Sequence, residues 1–138
     1  MICGQQVCEP SHEYGPKIRS YYLLHYVVSG KGVFISMGKQ IEVTTGQIFV
    51  ILPNQQTWYK ADNVNPWHYR WIGFTTNLDL SCILIGDVIT APECGYLFRL
   101  ITECSHIKNL REYYICGKLF EILTLLAQKS DIGKSKTN

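Results

Sequence analysis

The sequence has no apolar run long enough to cross a membrane: stretches such as Ile83 to Ile85 fall far short of the roughly 20 residues that a span requires. Its six cysteines (Cys3, Cys8, Cys82, Cys94, Cys104 and Cys116) contain no C-x-x-C pair, so the spacing of a zinc site or a redox dithiol is missing. There is no dense Lys/Arg block. The formal net charge of +2 is spread along the chain, which argues against a nucleic-acid groove or an anionic membrane as the main partner. The start, MICGQQVCEP, has neither the charged n-region nor the apolar run of a secretory leader, so a reducing cytoplasm is expected rather than a disulfide framework. No G-x-S-x-G elbow, P-loop or dinucleotide fingerprint occurs.

What is present is apolar and aromatic. Hydrophobic residues make up 46% of the 138 residues and charged ones 17%, with nine Tyr, five Phe and three Trp, the composition of one globular domain with aromatic-rich surfaces or cavities. The first part reads as strands joined by turns: YYLLHYVVS at 21–29, VFISM at 33–37, QIEVT at 40–44, QIFVIL at 47–52, TWYK at 57–60 and WHYRWIGF at 67–74, with turns at Gly38-Lys39 and Thr45-Gly46. Short strands at this spacing predict a sandwich or barrel. Beyond Thr76 the pattern shifts: a short helix over 78–85, a brief strand at 87–90, a helix over 93–106 and a longer helix from Leu110 to Lys129. The apolar stripe of that last helix is read as Tyr113, Cys116, Phe120, Leu123 and Ala127, widened by Leu119 and Leu126. The resulting division is an N-terminal arm at 1–20, a barrel core at 21–76, a helical segment at 77–130 and a linker or frayed tail at 131–138, all in one structural domain.

Five blocks then stand in a telling order: C-G-x-x-x-C-x-P-x-H-x-Y-G-P from Cys3 to Pro16, YLLHYVVSGKG from Tyr22 to Gly32, GQIFVILPN from Gly46 to Asn54, WYKAD from Trp58 to Asp62, and PWHYRWIGF from Pro66 to Phe74. Together they resemble the N-terminal effector-binding and dimerisation domain of AraC-family transcription regulators. The resemblance covers about the first 76 residues, with the helical remainder agreeing in pattern only. It implies a mainly β fold, a cupin-like barrel or jelly roll followed by a helical dimerisation segment, and a homodimer. It also implies DNA contact only through a C-terminal helix-turn-helix domain, for which on the order of a hundred further residues would be needed; none is expected in this chain.

Cupin enzymes hold a metal with a His-x-His pair on one strand and a further His beyond a turn. Here the second position of the pair is Val27, and Gln55, Gln56, Thr57 and Trp58 stand where the last His would lie, so no metal, no cofactor and no catalysis are expected. Recognition remains. Strand alternation puts Trp67, Tyr69 and Trp71 on one face and His68, Arg70, Ile72 and Phe74 on the other, and the resemblance places an effector-stacking aromatic on this strand, which selects the Trp71 face. The expected ligand-binding residues are Trp71, Tyr59, Tyr69, His25, Ser29 and His12, around a small-molecule effector that is a sugar. Leu119, Phe120, Leu123 and Leu126 are the expected dimerisation residues. Two other readings use the same residues: a stand-alone cupin enzyme of the sugar-isomerase type, and a carbohydrate-binding module. The aromatics, His25 and Ser29 also admit a plain reading as core and turn residues.

Overall fold

The computed structural model describes residues 1–135, with side chains through residue 130. Nine strands come first: β1 (Ile2–Val7), β2 (Glu13–Ile18), β3 (Tyr22–Ser29), β4 (Lys31–Ser36), β5 (Lys39–Thr44), β6 (Gln47–Ile51), β7 (Gln56–Ala61), β8 (His68–Phe74) and β9 (Val88–Thr90). Two helices follow, α1 (Gly95–Thr102) and α2 (Arg111–Ser135), with single 3₁₀ turns at Pro92–Cys94 and Cys104–His106. The strands form two antiparallel sheets in the orders β1-β8-β3-β6-β9 and β2-β7-β4-β5. This is the expected cupin-like jelly roll, and its two sheets share no strand, so the barrel is not closed by hydrogen bonds.

Strand β3 is buried on both faces because the first sheet is the middle layer of three. Its odd residues Leu23 and Val27, with Phe49 and Ile51 of β6 and Trp67 and Tyr69 at β8, meet Phe34, Val43, Tyr59 and Ala61 of the second sheet. Its even residues Leu24 and Tyr26, with Ile48, Val50, Ile72 and Phe74, pack against α1 and α2. Trp67 is almost fully buried, donates its Nε1–H to the Val43 carbonyl at 3.0 Å and stacks on Phe49 at 5.2 Å. A Cβ at Gly32 would come within 2.6 Å of the Trp67 indole, so the glycine leaves the space that the ring fills.

Several expectations change. Most of segment 1–20 lies in β1 and β2, paired to β8 and β7, with Trp58 Nε1 donating to Glu13 Oε1 at 2.8 Å across the second pair. Residues 78–85 form turns, one fixed by the Ser81 N–H donating to Asp79 Oδ1, and no helix. The expected helix over 93–106 is broken where Glu103 leaves helical geometry, at φ −107° and ψ 23°. Helix α2 runs on past Lys129 to Ser135, so the expected tail begins inside a helix; residues 136–138 of it lie outside the described residues.

The buried stripe of α2 is Ile115, Leu119, Ile122, Leu123 and Leu126, while Tyr113 and Phe120 are exposed. Three of the expected dimerisation residues, Leu119, Leu123 and Leu126, are therefore packed inside their own chain, and of the four Phe120 alone remains on the surface. The helix carries apolar residues around much of its circumference, and a sequence pattern then fits two rotations about equally.

Candidate functional site

In the first sheet Gly4, Trp71, His25 and Phe49 lie directly opposite one another on β1, β8, β3 and β6. Facing them on the second sheet is the row Tyr14, Tyr59 and Phe34 on β2, β7 and β4. Between the two rows lies a cavity of about 200 Å³. Its floor is buried: His25, Tyr59 and Tyr69. Its rim is exposed and polar, with Gln5 of β1 and Lys17 of β2, and Arg19 enters from the connection between β2 and β3. Trp71, half-buried, forms one wall. A Cβ at Gly4 would stand 2.7 Å from Trp71 Cζ2, so the indole lies flush against bare β1 backbone.

His25 is 1% exposed and held by rings on three sides: stacked on Phe49 at 4.3 Å, and 5.0 Å from both Tyr59 and Tyr69. Its Nδ1 is buried without a hydrogen-bond partner, and so is Nη1 of Arg19. Burial, with the Arg19 charge adding to it, holds the His25 pKa well below the ordinary imidazole value, so the ring is neutral. Tyr59 is pushed up to about 12 by burial, with Arg19 partly opposing, and Tyr69 is raised by burial and by Tyr59 beside it. Both phenols keep their protons and can donate as well as accept. Among the residues that line the cavity none is Asp or Glu.

The neutral state of His25 carries a stability signature. The unfolded imidazole takes a proton below its ordinary pKa of 6.5, and the folded one refuses it. This contribution is complete above that value and is lost as the pH falls through it toward the depressed folded pKa, with a slope of at most about 1.4 kcal/mol per pH unit for one group. His68, lowered by partial burial and by Arg70, acts in the same direction. Urea midpoints at pH 7.5 and pH 5 are expected to differ less in His25→Gln than in the wild type.

The structure brings Trp71, Tyr69, Tyr59 and His25 to one cavity, on the face of β8 that strand alternation selects. It does not bring Ser29 or His12. Ser29 is exposed at the end of β3, where a register shift after Val27 breaks the alternation that would have put it on the His25 face. His12 sits edge-on against Tyr14 at 4.7 Å, behind the ring that lines the cavity. Arg70 points the other way, its guanidinium donating to Thr102 Oγ1 at 3.0 Å and Glu103 Oε1 at 3.3 Å on the helical side. Arg19, Tyr14 and the β1 glutamines escape a reading by sequence alone. The signal for Arg19 is its position: a cation shortly before a strand whose residues Leu23 to Val27 are all buried. Among the described residues no three His, Cys, Asp or Glu side chains gather closely enough to hold a metal ion, and no helix is long and apolar enough to cross a membrane.

A two-sheet barrel with an aromatic cavity inside and a helical layer behind one sheet offers an enclosed place for a small molecule. The family model of the AraC-like ligand binding domain matches residues 1–134, and the chain belongs to that family. It is 36% identical over 125 residues to the raffinose operon transcriptional regulatory protein of Pediococcus pentosaceus, covering 89% of this chain and 42% of that protein. It is 32% identical over 138 residues to the lactose operon transcription activator of Staphylococcus xylosus, covering 92% of this chain and 50% of that protein. The chain thus spans about half the length of the curated relatives it matches. In fold it is similar to ToxT from Vibrio cholerae, with a TM-score of 0.57, 10% identity and coverage of 94% of this chain and 56% of that one.

Proposed function

We propose that this domain senses a sugar in the cavity between its sheets and, as part of a cytoplasmic transcription regulator, passes the bound state to a helix-turn-helix DNA-binding domain. The observation that carries the reading is one cavity combining an indole plate with two buried polar groups, His25 Nδ1 and Arg19 Nη1, that have no protein partner. An apolar plate suits the C–H face of a sugar ring, and unpartnered buried groups are costly until a ligand completes them. The relatives named for raffinose and lactose operons favour a saccharide over other small molecules, and those two sugars share a terminal galactopyranose ring. The reading is of a binder and not an enzyme, since the floor is aromatic and His25, the one buried histidine among the described residues, is packed among rings. Calorimetric titration of the purified domain with mono- and oligosaccharides tests it: saturable heat from at least one is expected, and none from any would overturn it.

Pairing of two copies belongs to the same proposal. The exposed stripe Tyr113, Gly117, Phe120 and Thr124 recurs at helical spacing on α2, with open space above Gly117. A homodimer uses this stripe rather than the buried leucines. Sedimentation of the wild type is expected to show a dimer and of Phe120→Asp a monomer with unchanged circular dichroism. A wild type that stays monomeric at high concentration would remove the dimer from the proposal.

A further inference from the structure

The cavity is graded from a dry floor to a wet rim. His25, Tyr59 and Tyr69 at the bottom are buried, whereas Gln5 and Lys17 at the top are exposed. Its volume is about 200 Å³, below the roughly 300–1,000 Å³ of sites that enclose drug-sized ligands. A space that small suits a single pyranose ring with its hydroxyls better than two linked rings. Among the residues that line the cavity, the buried polar groups left without protein partners are correspondingly few, one on His25 and one on Arg19.

We infer that the cavity reads a saccharide end-on, admitting one terminal galactopyranose ring against Trp71, His25 and Arg19, while every further ring stays in solvent beyond Gln5 and Lys17. This rests on the sugar-sensing reading above and says which part of the sugar is sensed. Neutral His25 supplies a single acceptor or donor, depending on its tautomer. Arg19 supplies only donors, its buried Nη1 has no protein partner and no carboxylate competes for it in the lining, so it is placed to donate to a ring oxygen. Arg19 is thereby the specificity-determining residue. Raffinose and lactose differ in linkage and in everything past the terminal ring, and an end-on site is blind to those differences.

Calorimetry with galactose, lactose and raffinose, and with glucose and sucrose as probes lacking the galactosyl ring, tests the inference on the intact domain. The three galactosyl sugars are expected to bind within fivefold of one another, with glucose and sucrose at least tenfold weaker. Arg19→Met is expected to weaken all three by the same factor, tenfold or more, while its unfolding midpoint stays near the wild-type value and Arg19→Lys recovers part of the affinity. Affinity that climbs tenfold or more with ring number overturns the inference and leaves sugar sensing intact. Glucose or sucrose binding as well as galactose, or an Arg19→Met protein that is folded and binds normally, has the same effect. Silence from every saccharide is a failure of the sugar reading itself.

Discussion

Trp67→Ala is expected to lower the unfolding free energy by about 3–5 kcal/mol, the range for truncating a large buried aromatic. Three separate losses add up at this position. The indole leaves a void between the sheets, because Phe49 stacked on it at 5.2 Å and Tyr69 at 5.9 Å are held by other rings and cannot collapse into the space. The Val43 carbonyl loses its 3.0 Å donor in a place water cannot reach. The space left by Gly32 for the ring becomes a second defect on the same side. Against a total stability that for domains of this kind is about 5–15 kcal/mol, such a loss is decisive. A urea midpoint close to the wild-type value would show that the two sheets do not depend on this ring.

Trp71→Ala is expected to do the opposite: to leave the urea midpoint nearly unchanged and to weaken sugar binding by about ten- to a hundredfold. Trp71 is half-exposed and its inner neighbour is bare backbone at Gly4, so truncation opens no closed void. What disappears is the apolar plate, worth roughly 1.5–3 kcal/mol when fully covered, and each 1.4 kcal/mol is a factor of ten in affinity. Calorimetry is the suitable readout, since the indole itself is removed. Normal affinity in the alanine variant would move the ligand to another wall of the cavity.

The contrast between two tryptophans four residues apart, one in closed packing and one facing the cavity, was only half legible in the sequence. Alternation along β8 placed Trp67, Tyr69 and Trp71 on one face because a strand packed on both sides admits no other phase. It did not show which position of that face lies under closed packing and which lies at an opening, because that depends on Gly4, Gly32 and the opposite sheet. Hairpins with Gly at the turn were readable for the same local reason, and so was the long helix. The segment 1–20 was not: β2 is exposed along its whole length and has no apolar rhythm, so only its partner β7 defines it. Ser29 fails for a register shift that no spacing announces, and α2 was rotated by about one position because its apolar residues do not confine themselves to one side. Arg19 shows in the sequence only as a cation shortly before a buried strand, and its entry into the cavity is set by a connection rather than by an element.

Strand β1 pairs with β8 from Ile2 to Val7 and occupies the edge of the sheet. A chain shortened by those few residues would keep both hydrophobic clusters largely in place and yet expose β8 as a long unpaired edge, with the flank of Trp71 uncovered beside it. Open edges of this kind recruit strands from other molecules. Besides walling the cavity, the first seven residues are expected to limit self-association, because the edge they leave open is the more polar β1 rather than the aromatic β8. Self-association on trimming would measure that second duty apart from the first.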